Sequence, residues 1–301
     1  MEFLPSQIDS NILRKREMSK DNFSFYKGYP VFSILELNIW GACNRSCSFC
    51  PVSNKDFFTN KNEGIHIDLY TKLLMDLKKI SFNGTILFSA FSEPLLNKEI
   101  YKLIKLSKKI LPNIHLEINS NGDVIKKNIK KLLKLYESGL DTIVISVYDG
   151  IKEFKMFERI KEENNLSDES FLIRRRYFDE EKKDFGIIFS NRSGTVDIKS
   201  FENQDDSLEE KLPLKRVCYY PFYQLMVDYT GDVLICPHDW GKKFVIGNIK
   251  DSNIIDLWIS DKLQSAKEKL AKENRFFSPC NKCNVRGDVI GKEMFKKWEE
   301  K

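Results

Sequence analysis

No apolar run in this 301-residue chain approaches the roughly 20 residues needed to span a bilayer. The start, Met1-Glu2-Phe3-Leu4-Pro5, lacks the basic cluster and apolar stretch of a secretion signal. Together these two absences point to a cytoplasmic protein with no membrane partner. Also missing is any basic block interleaved with aromatic residues. The 49 Lys and Arg residues stand against 44 Asp and Glu, and the resulting +5 is spread along the chain. Pairs such as Lys126-Lys127 and Lys130-Lys131 sit beside apolar residues at helical spacing, which reads as a solvated helix face and excludes a nucleic-acid footprint. There is no internal repeat and no low-complexity tract. With 42% hydrophobic and 31% charged residues, the composition is that of a globular domain, and the length allows one large domain or two smaller ones.

The 7 cysteines leave none over. Cys43, Cys47 and Cys50 form one tight group, and Cys218, Cys236, Cys280 and Cys283 form a second in the last third of the chain. In a reducing compartment neither group is expected to form disulfides.

Residues 1–31 are polar and irregular and read as an N-terminal extension. From there, β-prone runs at 32–39, 85–88, 114–118, 142–147, 171–177 and 186–189 alternate with helical patterns at 68–80, 98–110 and 124–135. In the second helix Ile100, Leu103, Ile104 and Ile110 recur at helical spacing. Such alternation predicts an α/β fold of βαβ units on a parallel sheet over 32–198. Five or six such units are too few for an eight-stranded barrel, so an open, partial (β/α)6 TIM-like barrel is expected. The acidic, polar stretch within 199–215 reads as a linker. Beyond it, 216–301 forms a small α+β domain. There 222–227 and 232–236 flank Asp228-Tyr229-Thr230-Gly231 as a hairpin, and a helix is expected at 254–272.

Cys43-Asn44-Arg45-Ser46-Cys47-Ser48-Phe49-Cys50 has the spacing CxxxCxxC and follows the first strand directly. Three thiolates in eight residues can wrap a small cofactor while leaving one metal position open. Zinc with a distant fourth ligand and simple packing are the alternatives, and the polar neighbours argue against packing. The motif resembles the radical S-adenosylmethionine (SAM) superfamily, in which this loop holds a [4Fe–4S] cluster whose open iron is chelated by SAM. Phe49 fills the family's aromatic position before the third cysteine. The resemblance implies reductive cleavage of SAM to a 5′-deoxyadenosyl radical that abstracts hydrogen from substrate. A reducing partner such as flavodoxin or ferredoxin is implied with it. Three further positions match. Glu93 and Pro94 lie in Phe91-Ser92-Glu93-Pro94, where the family has Gly-Gly-Glu-Pro, although both glycines are replaced. Asn121 lies in Asn119-Ser120-Asn121-Gly122, and Ser146 at the end of the fourth strand. Phe49, Glu93, Asn121 and Ser146 are accordingly expected at SAM, although Asn121-Gly122 and Asp149-Gly150 would also serve as ordinary turns. On the fifth strand, alternation turns Phe171 and Ile173 one way and Leu172, Arg174 and Arg176 the other. If the apolar face packs on helices, Arg174 and Arg176 look into the barrel and can hold a carboxylate. A surface strand is the other reading.

Four cysteines in the second group suit either tetrahedral zinc or a fully ligated iron–sulfur cluster. The pattern Cys-x12-Gly-x4-Cys followed by Cys-x2-Cys resembles the auxiliary-cluster domain called SPASM, in its reduced form twitch. Ile246-Gly247-Asn248-Ile249 and Leu257-Trp258 add to that likeness. One auxiliary [4Fe–4S] cluster on Cys218, Cys236, Cys280 and Cys283 is implied. His238 is a spare metal donor that four cysteines make unnecessary.

The joint pattern is similar to twitch-bearing dehydrogenases that oxidise a secondary alcohol of 2-deoxy-scyllo-inosamine. It implies a small carbohydrate- or cyclitol-like substrate and an auxiliary cluster that accepts the substrate radical's electron. Arg192, in Asn191-Arg192-Ser193-Gly194, is placed at substrate or in a structural turn. Peptide or protein modification, of the sulfatase-maturase or thioether-forming type, is the alternative. Residues 1–31 are short for a leader-binding domain, which weighs against it. Epimerisation would need a hydrogen-donor cysteine beyond the seven already assigned. A metal-binding scaffold without SAM cleavage is a fourth reading.

Overall fold

The computed structural model describes residues 9–19, 24–55, 57–198, 201 and 212–301. Most of the linker assigned to 199–215 therefore lies outside the described residues. The elements run α1 (Ser10–Met18), β1 (Phe25–Tyr26), β2 (Tyr29–Pro30), β3 (Ile34–Leu37), α2 (Ile67–Lys79), β4 (Thr85–Phe88), α3 (Ile100–Ile110), β5 (His115–Ser120), α4 (Asp123–Lys127) and α5 (Lys130–Glu137). They continue with β6 (Thr142–Val147), α6 (Ile151–Glu163), β7 (Phe171–Arg175), α7 (Tyr220–Tyr223), β8 (Gln224–Val227), β9 (Asp232–Leu234), β10 (Val245–Asn248), α8 (Ile254–Trp258), α9 (Asp261–Ala271) and α10 (Lys292–Glu299).

Eight strands form one sheet in the order β10-β9-β8-β3-β4-β5-β6-β7. From β8 to β7 all neighbours are parallel, whereas β9 and β10 turn back antiparallel. The expected six parallel strands are present, but the sixth is β8. It pairs with β3 through Ile34↔Gln224 and Leu37↔Val227, so the sheet runs unbroken from the barrel into the C-terminal region. Residues 186–189, expected as the sixth strand, make no ladder. Ile187 and Phe189 instead bury against Val196, Ile198 and Phe49, which uses their apolar surface without backbone pairing.

The sheet's two faces explain its sequence. Leu35, Leu37, Ile86, Phe88, Leu116 and Ile118 face the helices and are buried with Leu73, Leu77, Leu103 and Ile104. This two-sided burial is what near-continuous apolar strands signify in a parallel sheet. Phe171 packs on Phe157 of α6, which turns Arg174 and Arg176, together as alternation predicts, to the inner face.

Two helices differ from expectation. The pattern at 124–135 is broken at Asn128, which is extended and whose Oδ1 accepts from the Lys130 amide at 3.1 Å. That at 254–272 is broken at Ser260, whose side chain accepts from Leu263 N and restarts a helix. The described residues of the N-terminal extension, 9–19 and 24–31, are not irregular. Asp9 caps α1 by accepting from Asn11 N at 3.1 Å, and β1 and β2 form a small hairpin. The residues of α1 form no apolar stripe, so the helix gives no periodic signal in sequence.

Gly122 caps α4 at φ +76, and a Cβ there would strike the Phe157 ring. Gly122→Ala combines left-handed backbone strain with overpacking. It is expected to destabilise the fold by about 3 kcal/mol, read as a lowered thermal midpoint.

Candidate active site

The loop after β3 carries Cys43, Cys47 and Cys50, all half-buried. Neighbouring segments pin it. The Cys43 amide donates to Asn60 Oδ1 at 2.9 Å, and the Glu93 amide donates to the Ala42 carbonyl at 3.1 Å. The Cys50 amide closes a turn on the Cys47 carbonyl at 2.9 Å. Burial pushes the Cys43 thiol up to about 12 and the Cys47 thiol up to about 11, with the neighbouring thiols adding to both. Burial raises Cys50 as well. Three thiols that resist ionisation by themselves become ligands only with a cationic centre among them. The donor set fits an iron–sulfur cluster with one iron left open.

Arg45, inside the motif, holds the loop to the barrel rim. Its guanidinium is bidentate to Asp123 (2.7 and 2.6 Å) and to Asp149 (2.8 and 2.9 Å). Lys126 joins Asp123, Asp149 and Glu153 from the other side. These three carboxylates cluster closely enough to suggest a metal, but the two cations already occupy them. Phe49 stacks on Tyr148 at 5.7 Å and contacts Phe189 at 5.1 Å.

Glu93 is buried beneath this loop. Its carboxylate accepts from the Ser120 hydroxyl (2.8 Å), the Asn121 amide (2.8 Å) and the Leu95 amide (3.0 Å). Burial nevertheless raises its pKa to about 7, against those three bonds. Asn121 also donates through Nδ2 to Asn44 Oδ1 at 2.9 Å, inside the cysteine motif. Ser146 is buried on β6 beside Arg174 and hydrogen-bonds with Tyr148. Thus Phe49, Glu93, Asn121 and Ser146 all come to the C-terminal rim of the sheet, around the cysteine loop. The two arginines separate. Arg174 is paired with Asp9 of the α1 cap, while Arg176 keeps an Nε without a hydrogen-bond partner among the described residues. Burial lowers the Arg176 pKa to about 10.

The second group converges from three segments. Cys218 precedes α7, Cys236 follows β9, and Cys280 and Cys283 bound a 3₁₀ turn in which the Cys283 amide donates to the Cys280 carbonyl at 3.2 Å. Burial raises Cys218, Cys236 and Cys280, and each is raised further by other thiols of the set, which places the four around one space. Gly287, at φ +76, lies so close that a Cβ would come within 2.5 Å of the Cys218 sulfur. Four converging sulfur donors fit a closed cluster site.

Arg192 lies between the two groups. Asn191 fixes its segment to the Cys280–Cys283 turn, donating to the Lys282 carbonyl at 2.8 Å and exchanging bonds with Asn284 at 2.9 and 3.2 Å. Arg192 Nη1 donates to His238 Nδ1 at 3.3 Å, and its Nε has no partner among the described residues. Burial drives His238 well below the usual histidine range, so the imidazole is neutral and accepts from the guanidinium. Facing Arg192 and Ser190 in this way, His238 Nδ1 is turned away from any role as a fifth ligand.

Sequence reasoning missed Glu36, Glu117 and Arg275. Glu36 is buried on the inner face, where the Gln224 side chain donates to it. The available signal was a lone acid inside Ile34-Leu35-Glu36-Leu37, a strand with no solvent face. Arg275 has no such context, since only the folded chain shows which carbonyls it meets.

A radical SAM superfamily model matches residues 37–169, and an iron-sulfur cluster-binding SPASM model matches residues 218–284. The chain is 28% identical over 257 residues to the S-adenosyl-L-methionine-dependent 2-deoxy-scyllo-inosamine dehydrogenase of Niallia circulans, covering 84% of this chain and 93% of that protein. It is 27% identical over 143 residues to a GTP 3′,8-cyclase of Campylobacter lari, which covers 46% of this chain and 41% of the cyclase. The crystal structure of BtrN with AdoMet and 2-DOIA superposes with a TM-score of 0.69 at 26% identity, over 88% of this chain and 97% of BtrN. Two cysteine sites on one continuous sheet, each within the span of its own family model, lead to one conclusion: the chain belongs to the radical SAM superfamily, as an enzyme with a SAM-binding [4Fe–4S] cluster and a C-terminal SPASM domain.

Proposed function

We propose that the protein oxidises a secondary alcohol of a small cyclitol- or carbohydrate-like substrate to a ketone. The observation that carries this reading is Arg192, charged and with an open Nε, held between the two cysteine sites by the Asn191–Asn284 clasp. The likeness to a cyclitol dehydrogenase supports it over peptide modification. In this reading Cys43, Cys47 and Cys50 hold the SAM-binding cluster, and Cys218, Cys236, Cys280 and Cys283 hold an auxiliary [4Fe–4S] cluster. When bound, the first supplies the electron that cleaves SAM and the second takes the electron left on substrate after hydrogen abstraction. Glu93, Asn121 and Ser146 line the SAM site, Phe49 walls it, and Arg176 offers its guanidinium to the SAM carboxylate. Arg174, committed to Asp9, orients α1 instead.

Arg192 donates to the carbinol oxygen, which acidifies that hydroxyl once the carbon has lost its hydrogen, so that the proton passes to water as the remaining electron leaves. Its neutral partner His238 aims the guanidinium without cancelling its charge. Residues 32–198 supply the barrel together with β8 from the C-terminal region, and the rest of 216–301 is the auxiliary domain. A flavodoxin- or ferredoxin-type donor and a cytoplasmic setting complete the reading. No helix among the described residues is long and apolar enough to cross a membrane.

The test is anaerobic turnover of the reconstituted protein with SAM, dithionite and a panel of perdeuterated cyclitols and sugar acids. One panel member is expected to pass deuterium to 5′-deoxyadenosine and to yield one ketone per SAM consumed. Deuterium transfer with an epimer or a returned alcohol as product would overturn dehydrogenation. Arg192→Met is expected to lower ketone formation about 100-fold while sparing substrate-free SAM cleavage, as for removal of one transition-state hydrogen-bond donor.

A further inference from the structure

The lysines of α3 and α5 take no part in the chemistry described so far, and their distribution is uneven. Ile100–Ile110 holds four lysines and no acid, and residues 124–136 hold five and no acid. By contrast α6 balances four basic residues with four acidic ones, and α9 sets three against two. The excess is therefore local and not a property of every helix. Lys98, Lys105, Lys130, Lys131 and Lys134 are exposed. Among the described residues the salt bridges of α3 are Lys102 with Glu99 and Lys108 with Asp141, and α5 has none. Like charges gathered on one face repel one another, and an anionic surface laid over them relieves that repulsion.

The same face has a hollow. A cavity of about 240 Å³ between α3 and α5 is lined by Leu95, Ile100, Val124 and Leu135, with Lys98 and Lys131 among its walls. Lys134 Nζ lies 4.5 Å from the centre of the Tyr101 ring, which is another wall. Leu133, between these lysines in the chain, is 38% exposed. Apolar ground among exposed cations has the make-up of a docking surface with a charged rim, not of a helix face that meets only water. The hollow also backs onto the three-cysteine loop. Leu95 follows Glu93-Pro94, and the Glu93 amide donates to the Ala42 carbonyl at 3.1 Å. Val124 follows Asn121 and Asp123, which hold Asn44 and Arg45 of the cysteine motif. The auxiliary cysteines lie on segments around β8 and β9, on the other side of β3 in the sheet order. A partner seated on α3 and α5 is thus joined by two short segments to the SAM-binding loop and by none to the auxiliary site.

We propose that the α3–α5 face docks an acidic one-electron carrier protein and is where the electron for SAM cleavage enters. This rests on the reading that a flavodoxin- or ferredoxin-type protein is the donor, and deepens it by naming the donor's seat. The step moves a single electron. The carrier is oxidised by one electron, the SAM-binding cluster is reduced by one, from its 2+ to its 1+ state, and no bond forms or breaks. The lysines give the carrier its approach and orientation, and the apolar hollow gives it a fixed seat.

The test is substrate-free 5′-deoxyadenosine formation by the reconstituted full chain, which consumes one electron per SAM and does not depend on the dehydrogenase reading. A flavodoxin and a ferredoxin, each kept reduced by NADPH and its reductase, are compared with dithionite as the electron source. Lys98→Glu/Lys130→Glu/Lys131→Glu is expected to lower the carrier-driven rate about tenfold at low salt and to leave the dithionite-driven rate unchanged. These positions stand at or just before the first turns of α3 and α5, where acids suit the helix ends, so the fold tolerates them. Carrier-driven cleavage by wild type should fall steeply as salt rises, and that of the variant should not. Lys269→Glu/Lys272→Glu changes two exposed residues at the end of α9, beside the auxiliary segment, and should keep the wild-type rate. If the glutamate variant loses iron or dithionite-driven cleavage, Lys98→Gln/Lys130→Gln/Lys131→Gln decides, with a smaller loss of the same kind. An unchanged carrier-driven rate in the assembled α3–α5 variants, or an equal loss in the α9 variant, would overturn the docking site while the donor reading stands. Failure of both carriers to drive wild type, with dithionite active, would overturn the donor reading and the docking site together.

Discussion

Replacing Cys43, Cys47 and Cys50 together by alanine is expected to abolish 5′-deoxyadenosine formation and to lower bound iron from about eight to about four per chain, as two four-iron clusters become one. The expectation rests on how separately the two cysteine sites are built. The first lies on one loop after β3, anchored through Asn60, Glu93 and the Arg45 bridges. The second is assembled from three segments of the C-terminal region, around α7, β9 and the Cys280–Lys282 turn. The triple variant removes three half-buried sulfurs and no core side chain, so the far-ultraviolet dichroism of the sheet should be unchanged. Because burial holds these thiols protonated, cluster assembly must displace their protons, and reconstitution should slow as pH falls. Iron and sulfide analysis with nucleoside chromatography reads all of this. About four irons with one zinc in wild type would keep SAM cleavage but remove the auxiliary electron acceptor, and with it the case for a dehydrogenase. Undiminished nucleoside from the triple variant would show that the loop is not where SAM is cleaved.

Both cysteine sites could be read in the sequence because metal-ligand spacing is local: CxxxCxxC and the closing CxxC each fall within one loop. That Arg174 and Arg176 share one face was legible from strand alternation, but whether that face looks inward or to solvent was not, and only the packing of Phe171 on Phe157 decides it. Nor was the fate of those arginines legible. Arg174 is consumed by Asp9, 165 positions away, and no periodicity in either segment announces the pairing. The sixth strand was misplaced for a related reason. Residues 186–189 are as apolar as a buried strand, and burial against Phe49 satisfies them without a ladder. Meanwhile β8 looks like half of a hairpin, which it also is, and its parallel pairing with β3 is a long-range fact. In each case local chemistry gave the element and distant partners decided its use.

Arg275→Ala is expected to empty the auxiliary site while leaving SAM cleavage intact. Arg275 is 1% exposed and its guanidinium donates to four backbone carbonyls: Arg216 (3.1 Å), Val217 (3.0 Å), Val285 (2.7 Å) and Arg286. Two of these immediately precede Cys218, and two follow Cys283 by two and three residues. One side chain therefore ties together the segments that must meet for four sulfurs to converge. Its charge also favours the Cys218 and Cys280 thiolates against the burial that opposes them. Truncation leaves the carbonyls without donors in a site closed to water, a loss of about 3–5 kcal/mol by comparison with other broken buried networks. Iron should fall from about eight to about four per chain, ketone formation should vanish, and substrate-free 5′-deoxyadenosine should persist, since no Arg275 bond reaches the β3 loop. Arg275→Lys keeps the charge but not the planar fork, so it should recover cluster binding only in part. Full iron content and an unchanged thermal midpoint in the alanine variant would show that the cysteines position themselves. Loss of all iron would show instead that the two sites assemble as one unit, through the sheet that β8 makes continuous.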